Sequence, residues 1–421
     1  MRRSISLFSL ALALTSVAQD KAVVHARARA YLDTLTSPAF HGRGYVANGE
    51  VIASDWIAKQ FQRIGLKPVK TDFFEPFTFN VNTFPDTVVV HIDGKRLAPG
   101  VDFLVDPASG KADGKFDLVH LTPADLGTPE RRSMTMGVIT GKAACLHFPT
   151  SRNADSLRLF ADWEQDLMHY GPVVKPAHGK LTWSVSQEAM PYPLIEVAGD
   201  ALTDSSATIE LRVKNKLLVR HDARNVLGMV KGRGKSWIVI GAHYDHLGHM
   251  GPDALFPGAN DNASGTAMLL SLAEWFSQNP IKHNILFVAF AGEEAGLVGS
   301  QWCAVDRPID WGDVRLMINL DILGTGDEGI TVVNATAQQA EFDQLVAING
   351  VKNYMPQIKA RGPACISDHC PFVERGVPAI YIYTMGGITA YHDVYDKGET
   401  LPLTKFADLH ALLTDFITGL K

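Results

Sequence analysis

The feature that most constrains the fold is a series of short, almost uninterrupted apolar runs after residue 220. They read "SWIVIGAHYD", "HNILFVAFAGEE", "RLMINLDILG", "GITVVNA" and "VPAIYIYT". Such runs are typical of strands that are buried on both faces. Helical patterns lie between several of them, most clearly "ASGTAMLLSLAEWFSQ". The sequence therefore predicts an α/β fold, with a mixed, largely parallel sheet and helices on both faces.

The first 215 residues show a different pattern of apolar and polar residues. Residues 22–35 and the stretch "EVIASDWIAKQFQRIGLKP" show helical periodicity. From about 85 to 215, short apolar stretches such as "DTVVVHI" and "AACLHF" alternate with Gly, Pro and Asp, which indicates a mostly β unit. No tight cluster of metal-ligating residue types is visible there. We expect residues 19–84 and 216–421 to form one catalytic domain that carries residues 85–215 as a β-rich insert.

The N-terminus has the pattern of a secretory signal peptide. Two arginines precede an apolar run, Ile5–Leu14, and then the small residues Ser16-Val17-Ala18. This order predicts a signal peptide over residues 1–18 and an exported protein, periplasmic or secreted, that begins at Gln19. A buried N-terminal helix is the alternative. No other apolar run reaches the ~18 residues of a membrane span, so we expect no membrane association after cleavage.

Charge and cysteine content narrow the function classes further. The formal net charge is -6 and no basic block occurs, so we expect no nucleic-acid partner. Four cysteines are too few for a disulfide scaffold. Cys365 and Cys370 are close enough in the chain for one disulfide, and the alternative is four free, buried thiols.

Ligand-type side chains follow four of the predicted strands, and one more precedes a helix. They are His243, Asp245, Glu293, Glu294, Asp321, His392 and, before the helix, Asp261. Each alone has an ordinary interpretation, such as a core histidine or a helix cap. Because the carboxyl ends of parallel strands meet at one edge, five carboxylates and two imidazoles are expected there together. Such a cluster would repel itself without cations, and its mixed ligands suit zinc, with manganese or cobalt as substitutes.

The number of ligands favours two ions. A catalytic zinc takes three protein ligands and keeps one open position, so two sites that share a carboxylate need five ligands. These are His243, Asp261, Glu294, Asp321 and His392. Glu293 then remains as a general base, and Asp245 remains to orient His243 from behind. His246 and His249 receive no role and are interpreted as loop residues.

The motifs, in order, resemble those of the M28 family of co-catalytic zinc aminopeptidases. They are "GAHYDHLG", "GANDNASGTA", "AGEEAGLVGS", "NLDILG", "SDHCPF" and "YHDVYD", preceded by "HGRG" and "FQRIGLKP". The resemblance implies a zinc-aminopeptidase-like fold and makes the insert similar to a protease-associated domain. It implies one ion held by His243, Asp261 and Asp321, and a second held by Asp261, Glu294 and His392.

The same resemblance assigns Glu293 as general base and Tyr391 as an oxyanion donor, while a packing role for Tyr391 stays open. It makes Asp368 and His369 structural or pocket-lining residues. "YHDVYDKGE" departs from the commoner His-Thr-x-x-Asp wording, although Asp396 still falls four residues after His392.

The expected reaction is hydrolysis of the N-terminal peptide bond of peptides with a free N-terminus. Zinc lowers the pKa of water toward about 7, and Glu293 accepts the proton. A glutaminyl cyclase with a single zinc is one alternative. A carboxypeptidase or dipeptidase is another, which would need a cation such as Arg361 or Arg375 for the substrate carboxylate. A non-catalytic binding protein is a third alternative, which the complete ligand set disfavours.

Overall fold

The computed structural model describes residues 20–421. The predicted signal peptide lies outside these residues, so cleavage before Gln19 stays a prediction. The helices are α1 (Lys21–Leu35), α2 (Gly49–Ile64), α3 (Pro123–Leu126), α4 (Pro129–Ile139), α5 (Ala154–Leu167), α6 (Gly265–Gln278), α7 (Val298–Asp306), α8 (Gln339–Lys352), α9 (Cys370–Val373) and α10 (Phe406–Gly419). None of them combines the length and the apolar character that a bilayer crossing requires.

The strands fall into two large sheets and one hairpin. In chain order they are β1 (Phe74–Thr83), β2 (Val89–Ile92), β3 (Lys95–Arg96), β4 (Phe103–Val105), β5 (Ala112–Leu121), β6 (Ala143–Leu146), β7 (Val173–Pro176), β8 (Leu194–Val197), β9 (Thr208–Val213), β10 (Lys216–Val230), β11 (Trp237–His243), β12 (Gly248–Met250), β13 (Ala254–Phe256), β14 (Asn284–Phe290), β15 (Val314–Leu320), β16 (Gly329–Val333), β17 (Ile358–Ala360) and β18 (Ala379–Met385).

The main sheet has eight strands in the order β1-β10-β14-β11-β15-β18-β16-β17. Its four central strands, β14, β11, β15 and β18, run parallel, whereas β1, β10 and β16 pair antiparallel with their neighbours nearer the centre. The mixed α/β fold predicted from the apolar runs is thus confirmed. The carboxyl ends of the four parallel strands lie at one edge, where a ligand site is expected.

Side chains of the central strands alternate between two hydrophobic cores. On β14, Ile285 and Phe287 pack into a core with residues of α1, α2, α6 and α10, while Leu286 and Val288 pack into a second core with residues of α7 and α9. Every residue of β14 is buried. This explains why the strand sequences show no polar alternation, because helices cover both faces of the sheet.

The chain leaves the main sheet at Thr83 and returns at Lys216, and these two residues face each other across β1 and β10. Between them lies a second eight-stranded sheet, in the order β3-β2-β9-β5-β6-β7-β8-β4. The stretch 85–215 also contains α3, α4 and α5, which the sequence prediction of a mostly β unit did not include. Their side chains close a separate small core around Trp163 and Leu167.

The insert packs directly onto the main domain. Its larger core contains insert residues such as Phe103 and Trp183 together with Met250 and Phe256 of the β12–β13 hairpin. The indole of Trp183 stacks on Phe256 with ring centroids 4.7 Å apart. The insert is therefore held close to the loops that follow β11.

Cys365 and Cys370 form a disulfide, with their Cα atoms 4.9 Å apart. The bond closes the loop that carries Ser367, just before α9. Cys145 and Cys303 are buried free thiols.

Candidate metal and catalytic site

The ends of the four parallel strands deliver their polar side chains to one place. His243 is the last residue of β11, and Asp321 directly follows β15. Glu293 and Glu294 lie three and four residues beyond β14, and His392 lies in the loop after β18. Asp261 belongs to the segment Ala259–Ser264 that leads into α6. The structure brings together all of the residues that the sequence assigned to the site edge.

The carboxylate of Asp261 lies between two groups of side chains. Its Oδ1 is 3.2 Å from Nε2 of His243, which is itself 3.5 Å from Oδ1 of Asp321. Its Oδ2 is 3.0 Å from Nε2 of His392, which is 3.2 Å from Oε2 of Glu294. One carboxylate therefore serves two sets of three potential ligands.

Electrostatics in this cluster are dominated by excess negative charge. Burial lowers the pKa of His392, but Glu294 and Asp261 outweigh it and raise that pKa to about 11. Burial raises the pKa of Glu293, and the carboxylates of Asp368, Glu294 and Asp321 raise it further. In the protein alone, charged imidazoles offset carboxylates that would otherwise repel one another. A bound cation would replace those protons.

Asp321 shows how the donor set fits a cation. Its Oδ2 accepts a hydrogen bond from Ser367 Oγ at 3.0 Å, and Ser367 accepts one in turn from Asn319 Nδ2 at 2.8 Å. Its Oδ1 is buried and accepts no hydrogen bond. Burying an oxygen that accepts no hydrogen bond costs free energy, unless a bound cation takes the place of the missing donor. The "SDHCPF" segment therefore supports Asp321 through Ser367, inside the disulfide-closed loop.

Asp245 has a wider set of contacts than the sequence indicated. We expected it to orient His243, but Nδ1 of His243 lies 3.2 Å from the main-chain oxygen of Asp245 and 3.7 Å from its carboxylate. The carboxylate accepts hydrogen bonds from Tyr45 Oη at 2.7 Å and from the main-chain N–H groups of Glu293 at 3.2 Å and Glu294 at 3.3 Å. Asp245 thereby holds the turn that presents both glutamates.

The insert supports His392. Nδ1 of His392 donates to the main-chain oxygen of Trp183 at 2.8 Å, and the main-chain N–H of Trp183 donates to His392 O at 2.8 Å. The bond fixes the ring tautomer and leaves Nε2 directed at Asp261 and Glu294. Sequence reasoning missed this contact, because the partner is a backbone carbonyl on a different unit of the chain.

Two further residues hold the loop that carries Asp261. The carboxylate of Asp396 accepts N–H groups from Asn260 at 2.8 and 3.0 Å and from Asp261 at 3.0 Å. The guanidinium of Arg43 is wholly buried and donates to four main-chain oxygens, of Leu35, Tyr244, Pro257 and Gly258.

The glycines of "HGRG" bring Arg43 into place. A Cβ on Gly42 would lie 2.3 Å from Phe256 O, and a Cβ on Gly44 would lie 2.4 Å from the Cα of Gly248. Only glycine allows the N-terminal segment to approach the β12–β13 hairpin this closely.

His246 lies in the loop after β11, as interpreted, but its contact with Glu294 was not foreseen. The side chain is fully buried, and Nδ1 lies 2.7 Å from Oε1 of Glu294. Because a carboxylate accepts, Nδ1 carries the proton, and the ring holds Glu294 with its Oε2 toward His392. No sequence signal separated His246 from an ordinary loop histidine. His249 is partly exposed and lies beside His41.

Tyr391 and Asp368 lie close to the cluster. The ring of Tyr391 stacks on His392 with centroids 4.0 Å apart, and 44% of the residue is exposed. Asp368 is fully buried, and burial together with Asp245 and Asp321 raises its pKa to about 7. His369 makes no hydrogen bond to the potential metal ligands of the cluster. Its Nε2 lies 2.8 Å from the main-chain oxygen of Ala364.

Part of the chain matches a known family of peptidases. Residues 225–417 match the model of peptidase family M28. A probable leucine aminopeptidase of Arthroderma otae is 30% identical over 174 residues, which are 38% of this chain and 45% of that protein. Aminopeptidase YwaD of Bacillus subtilis is 27% identical over 303 residues, which are 68% of this chain and 62% of that protein. The chain thus spans about half the length of the curated relatives it matches.

A solved structure shares the whole fold. The structure of BSAP, a zinc aminopeptidase from Bacillus subtilis, superposes with a TM-score of 0.67 and 19% identity, and the match covers 93% of this chain and 94% of that one. Residues 225–417 thus match peptidase family M28, and the described chain as a whole shares the fold of this zinc aminopeptidase.

Proposed function

We propose that the protein is a zinc aminopeptidase that uses two ions to hydrolyse the N-terminal bond of peptides. The observation that carries the proposal is the position of the Asp261 carboxylate, with one oxygen 3.2 Å from His243 and the other 3.0 Å from His392. A carboxylate in this position can bridge two ions that each have further ligands of their own. The names of the relatives, aminopeptidases among them, support the same activity.

The residues would divide between the two ions as the sequence predicted. His243, Asp261 and Asp321 would hold one ion, and Asp261, Glu294 and His392 the other. The unpartnered Oδ1 of Asp321 and the nitrogen atoms of both imidazoles fit zinc, which takes nitrogen and oxygen ligands. When bound, zinc supplies a Lewis acid that polarises the peptide carbonyl and lowers the pKa of water to about 7.

Glu293 is the residue that we assign to proton transfer. Its carboxylate lies within 4.8 Å of both the His243 ring and Glu294, yet it is not needed in either ligand set. It would take a proton from the attacking water and pass it to the leaving amine. Asp245 fixes the main chain of Glu293, so the base is oriented through its own backbone. The exposed Tyr391 is our candidate donor to the oxyanion, from its place beside His392.

The negative charge of the site would favour substrates with a free N-terminal amine. Three carboxylates that would hold ions, together with Glu293, surround the point where a substrate amine would enter. A protonated amine is attracted by the carboxylates, and a neutral one can approach an ion. Either interaction places the first peptide bond at the site and turns binding into orientation. An acetylated N-terminus offers neither.

The carboxypeptidase alternative needs a free cation at the site. The arginines considered for this role have other contacts: Arg361 lies 3.5 Å from Tyr383 Oη, and Arg375 donates to Pro371 O at 2.9 Å. Arg43 already uses its donors on main-chain oxygens. The arrangement therefore favours recognition of an amine over recognition of a carboxylate.

The test uses a matched pair of substrates. Leucine p-nitroanilide and its N-acetyl form contain the same scissile bond and differ only at the amine. We expect hydrolysis of the first, loss of activity with a chelator, recovery with zinc, and far slower hydrolysis of the acetylated form. Equal rates would point to an endopeptidase or another amide hydrolase. Cyclisation of an N-terminal glutamine without hydrolysis would point to a glutaminyl cyclase.

We also propose that the protein is exported and begins at Gln19. The support is the order of basic, apolar and small residues over positions 1–18. Mass spectrometry of the exported protein tests this directly, and an exported form that retains Met1 would contradict it.

A further inference from the structure

A second cluster of metal-ligating side chains lies in the insert, on the sheet that contains β5 and β6. It consists of His120, Cys145 and His147, whose nearest ligand atoms all lie within 4.8 Å of one another. The expectation that residues 85–215 hold no such cluster is wrong. The cluster was not visible in the sequence because His120 and Cys145 lie 25 positions apart.

Strand register explains the cluster. His120 and Cys145 are direct partners across the parallel pair β5–β6, so their side chains leave the sheet on the same face. His147 follows Cys145 by two residues, and its N–H bonds to Leu121 O at 2.8 Å, which continues the ladder. It therefore points to that face as well.

In each histidine ring, the nitrogen that faces away from the other ring already has a hydrogen-bond acceptor. Nε2 of His120 lies 2.7 Å from Ser206 O, and Nδ1 of His147 lies 3.2 Å from Oδ1 of Asp204. A carbonyl and a carboxylate only accept, so both of these nitrogens carry a proton. If both rings are neutral, Nδ1 of His120 and Nε2 of His147 carry no proton, and each has a free lone pair. This is the arrangement in which metal-binding histidines are held by carbonyls and carboxylates behind them.

The bare nitrogens face each other. Nδ1 of His120 and Nε2 of His147 are 2.7 Å apart, while the ring centroids are 5.0 Å apart. Two lone pairs cannot approach this closely unless a proton or a metal ion lies between the rings. The thiol of Cys145 also reaches this point, with Sγ 3.5 Å from Nε2 of His147.

We propose that His120, Cys145 and His147 form a zinc site in the insert, distinct from the site at the strand ends. With zinc–nitrogen bonds of ~2.0–2.1 Å and a zinc–sulfur bond of ~2.3 Å, a tetrahedral ion needs its ligands roughly 3.3 Å (N to N) and 3.6 Å (N to S) apart. The sulfur distance is already of this size. The two rings need to separate by roughly 0.6 Å, and the exposed ring of His120 has room to move by that distance.

Binding would exchange a proton for the ion. Burial, with a smaller effect from Asp204, raises the pKa of the Cys145 thiol to about 12, so the thiol keeps its proton without a cation. When zinc binds, the S–H bond breaks, the proton passes to solvent, and the thiolate and two neutral imidazoles each donate an electron pair. Three protein ligands leave one position for water. The ion would tie β5 and β6 together and, through Asp204 and Ser206, hold the loop before β9.

Cobalt provides a test that separates this site from the strand-end site. A cobalt–thiolate bond gives a near-ultraviolet charge-transfer absorption, and the strand-end cluster contains no cysteine. Cys365 and Cys370 are bonded to each other, so Cys303 is the only other thiol among residues 20–421. We expect metal-free full-length protein to develop the band on addition of Co²⁺ and to lose it when Zn²⁺ is added in competition.

Single substitutions identify the residues that give the cobalt–thiolate absorption band. Cys145→Ser should abolish it, and the matched control Cys303→Ser should keep it. His120→Ala should weaken cobalt binding at least tenfold, and Asp261→Asn, which changes only the strand-end site, should leave the band intact. Zinc content should fall by one ion per chain in Cys145→Ser. A band that survives Cys145→Ser, or the absence of any thiolate band in a folded protein, would overturn the proposal, whatever the peptidase activity is.

Discussion

Replacing Asp245 with asparagine tests whether this carboxylate holds the turn that presents Glu293 and Glu294. The carboxylate accepts from Tyr45 Oη and Glu294 N on Oδ2, and from Glu293 N on Oδ1. Asparagine has the same shape but only one acceptor oxygen. If that oxygen faces Tyr45, the amide NH₂ meets the N–H of Glu293, and two donors oppose each other.

The size of the effect follows from these three bonds. A hydrogen bond to a charged group contributes about 1.5–3 kcal/mol and a neutral one about 0.5–1.5 kcal/mol. Asp245→Asn loses the charged bond to Glu293 and weakens the other two, a total of about 3–5 kcal/mol. Because the lost bond holds the backbone of the proposed base, we expect kcat to fall about 10–100-fold. A lower thermal midpoint should accompany the loss.

Tyr45→Phe is the matched control. It removes one bond to the same carboxylate and leaves both glutamate N–H bonds in place. We expect a smaller fall in the thermal midpoint and a kcat within a few-fold of that of the original protein. Measurement of kcat for leucine p-nitroanilide and of thermal unfolding in all three proteins decides the question. Equal kcat in Asp245→Asn and the original protein would refute the role of Asp245 in positioning Glu293.

Three further predictions concern residues around and away from the site. Asp396→Asn replaces an acceptor of the Asn260 and Asp261 N–H groups, so zinc affinity should fall about 10–100-fold in a metal titration, while unchanged affinity would contradict the role. His246→Leu removes the donor to Glu294 and should weaken zinc binding to a similar degree, with the fold retained by circular dichroism. Burial lowers the pKa of His410 to about 4, so the unfolded chain binds more protons between pH 6.5 and 4 and stability falls as the pH falls through this window, by up to about 3 kcal/mol. His410→Leu should remove that part of the pH dependence, and an identical pH profile would show that His410 does not cause it.

The sheet and the strand-end residues could be predicted because both leave local signals. Uninterrupted apolar runs such as β14 reflect burial on two faces, and polar side chains lie at or soon after the strand ends, as Asp321 does directly after β15. Parallel pairing then brings the strand ends together without any knowledge of loop geometry.

What the sequence could not provide were contacts that depend on register or on backbone atoms. The carbonyl of Trp183 supports His392 from 209 residues away. His246 is distinguished from a loop histidine only by its burial against Glu294. His120 joins Cys145 only through the alignment of β5 with β6. The spacing Cys-x-His at the end of β6 was the single local hint of that cluster.

The insert shows a limit of a different kind. Its short apolar stretches correctly indicated strands, and α4, which buries only Thr135 and Ile139, left no clear apolar face to read. The sequence interpretation overlooked α5, in which Leu157, Phe160, Trp163 and Leu167 recur at helical spacing. Both helices gain their packing from the small core around Trp163.

The most direct test of the two-ion peptidase measures zinc content and leucine p-nitroanilide hydrolysis on the same samples of two variants. Glu293→Gln keeps the shape of the side chain but removes the base, so it should retain both strand-end ions and lose ~10²–10⁴-fold in rate. Asp261→Asn removes the proposed bridge and should weaken both ions as well as the rate. The opposite pattern, in which Glu293→Gln loses zinc while Asp261→Asn keeps two ions and its activity, would contradict the account.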